Sequence, residues 1–160
     1  MSVDMFLKLD GIDGESADSV HGKEIDILTC SWGLSQQGSS SMGGGGGSGK
    51  VSFSDINITK KLDSSTPHLS FRCCNGDPIK TAVIVFRKAG ATQQEYLKIL
   101  LTDVIISNIA SGASGGDDTV MENLTLNFAT FKLEYKPQKA DGSLDAVIPI
   151  GWDLKKNAKF

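Results

Sequence analysis

The sequence lacks the segments that would carry it into or across a membrane. Residues 1–20 contain no basic start followed by an apolar run, which argues against a secretory signal peptide. No apolar stretch approaches the ~18 residues that a membrane helix requires. We therefore expect a protein that folds in the cytoplasm and does not insert into a membrane.

Positive charge and cysteine are also scarce. The net charge of the 160 residues is −3, unlike the basic surface of most nucleic-acid-binding proteins. The three cysteines, Cys30, Cys73 and Cys74, are odd in number and two are adjacent, which favours reduced thiols over a disulfide framework. Together with His21 and His68 they show no metal-ligand spacing. The sequence therefore predicts no nucleic-acid partner, no metal and no cofactor.

What the chain does have is a series of short apolar patterns with a period of two, which is typical of β-strands. Two patterns change phase in the middle, near residues 54–55 and 129–130, and we interpret each change as a β-bulge. Many strands with little helix favour a β-barrel or two packed sheets in a single domain, residues 1–160. The predicted strands cover residues 3–9, 25–32, 51–61, 81–88, 96–101, 104–109, 120–135 and 148–154.

One helix is predicted, between Thr66 and Asn75. Thr66 suits the N-cap, and Pro67 suits the first helical position. The pair Asn75-Gly76 closes the helix, since glycine is favoured just past a helix end. Two turns are marginally stable alone, so this helix must pack against a sheet.

A long polar loop, about residues 34–50, connects two of the predicted strands and contains five consecutive glycines. It has too little apolar surface to offset the entropy cost of its own ordering. A structureless connection of this length in a compact domain is either disordered or functional. We favour an extended arm that becomes ordered on a neighbouring subunit, which predicts a protein that assembles.

Two motifs suggest enzymes but fail in context. Gly112–Gly116 fits the Gly-x-Ser-x-Gly pattern of serine hydrolases with Ser114 as nucleophile, yet a strand follows it and both histidines precede it. Residues 44–50 resemble a phosphate-binding loop, but Val51 replaces the Ser or Thr that would hold magnesium, and no helix follows. We therefore expect no catalytic residues. A Ser114 hydrolase and a monomeric or dimeric ligand-binding β-barrel are the alternatives to an assembly protein.

Several distinctive segments follow one another along essentially the whole chain. They include VDMFLKLDGIDGESADSVHGKEIDIL, SWG, MGGGGGSGKV, KKLDSSTP, EYLKILL, ENLTLNF, QKADG and GW. In these segments the chain resembles the Hcp (haemolysin-coregulated protein) family, whose members are tube subunits of bacterial type VI secretion systems. The resemblance implies a mainly β fold: a small β-barrel of two packed antiparallel sheets with one short flanking α-helix, about residues 66–75.

The resemblance also implies a structural, secreted protein that is not an enzyme. Six copies would close into a ring with a central channel, and stacked rings would form a hollow tube that carries and protects small effector proteins. The expected partners are further copies of the chain, a tip spike protein, a contractile sheath and effectors in the lumen. The protein would stay in the bacterial cytoplasm until the machine fires. Because the chain ends eight residues after Trp152, we expect no fused C-terminal effector domain.

Two regions are candidate functional sites. Ser31 is small, polar and at the end of a strand with mixed faces, and we predict that it lines the channel and contacts effectors. The long loop is predicted to pack on adjacent subunits, where its glycines allow close backbone approach. The residues assigned to this inter-subunit and stacking role are Ser39, Met42, Gly43, Gly44, Gly45, Gly46, Gly47 and Lys50.

Overall fold

The computed structural model describes residues 2–38, 49–90 and 92–160 of the chain. This part is mainly β, as predicted, with twelve strands and one helix. All of the strand pairs are antiparallel. The elements are β1 (Val3–Leu9), β2 (Ile25–Ile27), β3 (Thr29–Ser31), β4 (Leu34–Ser35), β5 (Ser52–Phe53), β6 (Ile56–Lys61), α1 (Thr66–Asn75), β7 (Ile79–Lys88), β8 (Gln94–Gly112), β9 (Met121–Asn127), β10 (Thr130–Tyr135), β11 (Ile148–Asp153) and β12 (Ala158–Lys159).

Two large sheets share one long strand. In the first sheet the strand order is β12-β11-β10-β8-β7-β1-β2. In the second sheet, β3, β6, β9 and the last part of β8 lie side by side. The short pair of β4 and β5 stands apart from both. β8 belongs to both sheets because its first part pairs with β7 and β10, while its last part pairs with β9.

The sequence predicts two strands where the structure has the single strand β8, which is 19 residues long. The predicted break lies at Thr102–Asp103, and there the strand continues through Asp103 with a φ of 50°. An aspartate tolerates this left-handed conformation better than most residues do. The chain therefore passes from one sheet to the other at the predicted place without interrupting the strand.

A second connection between the sheets runs through β2 and β3. β2 pairs with β1 in the first sheet, and β3 pairs with β6 in the second. Only Leu28 separates them, and its N–H donates a hydrogen bond to the carbonyl oxygen of Thr59 at 2.8 Å. In the described residues the strands do not pair around a closed circle, so the architecture is two packed sheets joined at two corners. The predicted fold class, mainly β with two sheets and one short helix, is confirmed.

The core lies between the two sheets, and the period-two patterns predict its members. Ile56 and Ile58 on β6 and Leu124 and Leu126 on β9 are all buried, as their shared parity requires. Near residues 54–55 and 129–130 one strand ends and another begins. The two predicted bulges are therefore breaks between separate strands, and the second break takes the chain from the second sheet back to the first.

Helix α1 has the predicted bounds but a different N-cap. The N-cap is Ser65, and Thr66 is already helical. The hydroxyl of Thr66 donates instead to a carboxylate oxygen of Glu122 at 2.6 Å. Leu69 is fully buried and joins the core. As expected for a helix of ten residues, its stability comes from packing on the sheets.

A buried ion pair lies beneath the start of the helix. Lys60 on β6 and Glu122 on β9 are both fully buried, and Lys60 Nζ lies 2.5 Å from Glu122 Oε1. Thr66 shares that oxygen, Ser111 Oγ donates to Glu122 Oε2 at 3.0 Å, and Asp63 Oδ1 lies 3.1 Å from Lys60 Nζ. These contacts join the helix to β6, β9 and β8. Sequence reasoning missed the pair, although Lys60 shares its parity with the buried isoleucines of β6.

Candidate functional site

Many hydroxyl and amide side chains lie on the outward surface of the second sheet, and we call this set the polar face. On β3, β6 and β9 its members alternate with buried core residues. On the outward side of β6 and its approach, within the described residues, charge occurs only at the two ends, at Asp55 and at Lys61. The members are Thr29, Ser31, Asn57, Thr59, Ser107, Asn108, Asn123, Thr125 and Asn127.

Hydrogen bonds between neighbouring strands hold the polar face in one arrangement. The hydroxyl of Thr59 donates to Asn123 Oδ1 at 3.2 Å, and the hydroxyl of Thr125 donates to Asn57 Oδ1 at 3.2 Å. Such cross-strand pairs stabilise a sheet and fix the rotamers of both partners. The polar face is therefore organised before anything binds to it.

Asp55 is the carboxylate at the edge of the polar face, and both of its oxygens are occupied. Asn127 Nδ2 donates to Oδ1 at 2.8 Å, and Ser107 Oγ donates to Oδ2 at 2.8 Å. Donors directed at a carboxylate satisfy part of its hydrogen-bonding capacity. Beside this carboxylate, the members of the polar face are neutral donors and acceptors.

The structure places Ser31 at the end of β3, exposed and opposite Asn57 in the strand register. Ser31 and Asn57 therefore lie on the same side of the sheet, within the polar face. The preceding residue, Cys30, packs against the core, and burial raises the pKa of its thiol to about 12. This thiol stays protonated at neutral pH and is not a nucleophile. The other members of the polar face were missed because their register is not visible in the sequence.

The base of the predicted arm is a short hairpin. Leu34 and Ser35, the first residues of the predicted loop of about residues 34–50, form β4 and pair with β5. Ser54 adds two hydrogen bonds to the carbonyl oxygen of Gly33, one from its N–H and one from its hydroxyl, both at 3.0 Å. Lys50 lies in the described part of the chain and is exposed. The other predicted arm residues lie outside the described residues: Ser39, Met42, Gly43, Gly44, Gly45, Gly46 and Gly47.

The residues considered for catalysis are not arranged for it. Ser114 lies in the loop after β8, while the ring nitrogens of His21 contact the carboxylates of Glu24 at 3.0 Å and Glu95 at 3.3 Å. Among the described residues no hydrogen bond joins Ser114 to a histidine. The same residues contain no group of three or more His, Cys, Asp or Glu side chains that could hold a metal ion. Within them, too, no helix has the length and apolar character needed to span a membrane.

A second surface, missed by sequence reasoning, lies where the first sheet extends beyond the second. Here core-facing side chains of β10 and β11 reach solvent, and we call these four residues the overhang: Leu133, Tyr135, Ile148 and Ile150. Beside the overhang, a groove of about 830 Å³ separates β11 from the hairpin of β4 and β5. The groove is lined mainly by apolar side chains, and two lysines are among the other lining residues. The lining residues include Leu34, Phe53, Phe131, Trp152, Lys132 and Lys159.

Comparison with known proteins gives the same family in sequence and in structure. The family model described as "Type VI secretion system effector, Hcp" matches residues 6–135. The protein Hcp1 of Pseudomonas aeruginosa is 48% identical over 161 residues, which cover 99% of this chain and 99% of that protein. This family serves a secretion system and is not a known family of enzymes.

Solved structures of Hcp proteins have the same fold. The crystal structure of Hcp1 from Salmonella typhimurium superimposes with a TM-score of 0.82 at 32% identity, over 100% of both chains. A type VI secretion system effector from Yersinia pestis superimposes with a TM-score of 0.77 at 33% identity, over 94% of this chain and 99% of that one. The chain belongs to the Hcp family of type VI secretion proteins.

Proposed function

We propose that the protein is a tube subunit, and that six single-domain copies close into a ring with the polar face toward the channel. The observation that supports this most directly is the neutral character of the polar face. A channel wall must stay wetted and must release its contents. Hydrogen bonds between neutral groups suit this, because each contributes only about 0.5–1.5 kcal/mol after exchange with water.

Small effector proteins are the proposed contents of the channel, and Ser31 is the proposed contact. Ser31 is exposed on the edge strand of the second sheet. An effector held by several weak contacts is protected inside the ring and leaves without a large barrier. The remaining proposed partners are a tip spike protein and a contractile sheath. The subunit would assemble in the bacterial cytoplasm and leave the cell when the machine fires.

Stacked rings are the proposed form of the tube. Contacts between rings are head-to-tail and do not close, so they generate a filament. We assign this role to the arm, whose base is the hairpin of β4 and β5 and which includes Lys50. Because stacking must be reversible, we expect its interface to be weaker than the ring interface, which should exceed ~1,000 Å². Deleting residues 39–48 should weaken stacking more than ring formation, and tubes of normal stability would contradict the arm assignment.

The mass in solution tests the ring directly. Size exclusion with light scattering should give six times the chain mass of 17.0 kDa, and electron micrographs of the same sample should show rings with a hole. A mass of one or two chains at high concentration would contradict the ring and would support a monomeric or dimeric ligand-binding barrel.

Effector contact is tested by Ser31→Gln, which places a longer side chain on the polar face. Rings should form normally, while the amount of effector recovered in a pull-down should fall. The matched control is Ser114→Gln, a serine in the loop after β8 that is not part of the polar face. Equal effector recovery with wild type, Ser31→Gln and Ser114→Gln would refute the role of Ser31.

A further inference from the structure

Residues 10–24, here called the β1–β2 loop, connect the first two strands and cover part of the outward side of the first sheet. Phe6 on β1 points away from the core, because its neighbours Met5 and Leu7 pack against the core. Phe6 is nevertheless only 4% exposed. The ring of His21 lies on it, with the centroids 4.5 Å apart and an interplanar angle of 14°. His21 is thus a contact between the loop and the sheet.

Both ring nitrogens of His21 face a carboxylate. Nδ1 lies 3.0 Å from each oxygen of Glu24, which belongs to the loop itself, and Nε2 lies 3.3 Å from Oε2 of Glu95 on β8. An ionised carboxylate only accepts hydrogen bonds, and a neutral imidazole carries a single N–H. The neutral ring can therefore satisfy one of the two contacts, whereas the imidazolium donates to both.

A second contact holds the same loop through charges that stay constant near neutral pH. Arg87 on β7 donates to both carboxylate oxygens of Asp18, at 2.7 and 2.9 Å, and to Asp4 on β1 at 3.0 Å. The bonds from Arg87 hold the pKa of Asp18 below its ordinary value of 3.8, and a guanidinium remains charged. Histidine, in contrast, ordinarily changes its charge between about pH 5 and 8.

The other charged side chains near the ring do not supply the second proton. Lys98 on β8 lies 3.8 Å from Oε1 of Glu95, the oxygen that does not face His21. Asp26 on β2 is opposite Phe6 in the strand register, but it is exposed and brings a further carboxylate. Within the described residues, no side chain donates a hydrogen bond to Nε2 of His21. This nitrogen therefore needs its own proton to bind Glu95.

We propose that His21 is a pH-dependent clamp, whose charged form holds the β1–β2 loop on β8 through Glu95. The shorter contact to Glu24 lies within the loop and keeps the remaining proton when the ring becomes neutral. A lone pair of Nε2 then faces the Glu95 carboxylate, so the contact between loop and sheet is lost. The clamp is closed at the acid end of the histidine range and opens as the pH rises through it.

Hydrogen exchange of the full chain, read by mass spectrometry, tests the clamp. The loop contains backbone hydrogen bonds that report on it, including those from Gly14 to Lys23 at 2.7 Å and from Ser16 to Glu24 at 2.9 Å. After correction for the intrinsic exchange rate, residues 10–24 should be about tenfold better protected near pH 5 than near pH 8. Protection of β6 and β9 should stay the same.

The charge of the ring is measured in the same samples. Exchange of the ring C2 hydrogen of His21 follows its protonation, and the loss of loop protection should have the same midpoint on the pH axis. All samples need one protein concentration. This comparison uses wild type alone, so it does not depend on how well any variant folds.

Glu95→Gln separates the clamp from a general effect of pH. A glutamine amide accepts a hydrogen bond from a protonated Nε2 and donates one to an unprotonated Nε2. The variant should therefore keep the loop protected near pH 8 as well as near pH 5. The matched control is Glu134→Gln on β10. Glu95 and Glu134 are 28% and 26% exposed and lie 3.8 and 3.7 Å from a lysine amine, so the control should behave like wild type.

Three results would overturn the proposal. The first is equal protection of residues 10–24 near both pH values in wild type. The second is a pH dependence in Glu95→Gln as large as that of wild type. The third is a loss of loop protection at a pH where the His21 ring does not change its charge. The clamp lies within one chain, so these results are independent of the mass measurement that tests the ring.

Discussion

The buried pair of Lys60 and Glu122 allows a stability prediction that depends on the exact set of contacts. Replacing Glu122 with Gln keeps the shape but removes the charge that faces Lys60. Lys60 Nζ then retains Asp63 Oδ1 at 3.1 Å and the carbonyl oxygen of Lys61 at 3.0 Å. Replacing Lys60 with Met leaves the buried carboxylate with hydroxyl donors only, from Thr66 and Ser111. The lysine variant should therefore be the less stable of the two.

Breaking a buried ion pair by removing one partner costs about 3–5 kcal/mol. We expect Glu122→Gln to lie near the lower value, because Asp63 remains, and Lys60→Met to lie near the upper one. With an m-value of about 2 kcal/mol/M, these losses lower the urea midpoint by about 1.5 and 2.5 M. Both are a large part of a typical stability of 5–15 kcal/mol.

Urea unfolding followed by circular dichroism measures the effect. All samples need one protein concentration, because self-association stabilises the folded chain by mass action. The control is Lys61→Met, an exposed lysine on the same strand, which should stay within about 0.5 kcal/mol of wild type. A loss below about 1 kcal/mol for Lys60→Met, or a larger loss for Glu122→Gln, would refute the reasoning.

Three further predictions concern other contacts. The hydrogen bond from Arg87 holds the pKa of Asp18 below its ordinary value of 3.8, so this pair stabilises the fold above that pH and the contribution is lost on acidification. Asp18→Asn should therefore have a lower urea midpoint than wild type at pH 7. The difference between the two midpoints should become smaller as the pH falls through the acid range. Gly14→Ala should lower the free energy of unfolding by about 1–3 kcal/mol, because the added Cβ would overlap backbone atoms. The added Cβ of Gly112→Ala has no atom within 4 Å, so this variant should leave the free energy of unfolding unchanged in the same assay. The Cys30 thiol is partly buried and its pKa is raised to about 12, so it should react with a maleimide more slowly than the exposed Cys74; equal labelling of the two cysteines in the native protein, read by peptide mass spectrometry, would contradict this.

Much of the fold follows from local patterns. The alternation in β6 and β9 fixes which side chains face the core, since a period of two leaves one choice of face once the apolar positions are known. The Thr66–Asn75 helix could be predicted from turn and capping residues within a dozen positions, although its N-cap is Ser65 and not the predicted Thr66. Near Asp103 the sequence predicts the position of the bend but not the continuity of β8. The reason is that a single residue with positive φ and a break between strands look alike in sequence.

The candidate surfaces depend on non-local pairing and were only partly predictable. Ser31 could be proposed from its position at a strand end, but its neighbours Asn57 and Thr125 reach the same face through registers that span most of the chain. The overhang was invisible for a related reason. Ile148 and Ile150 look like ordinary core residues in sequence, and only the relative extent of the two sheets shows that no other residue of the described ranges covers them.

The continuity of β8 has a mechanical consequence. Because one uninterrupted strand runs through both layers, a shear force that slides one layer over the other is resisted by covalent backbone as well as by side-chain packing. The connection through Leu28 is a second covalent link between the two sheets, at the other corner. Two packed sheets braced at two corners deform little under load, so in the proposed tube an axial push would be taken up between subunits and not within them.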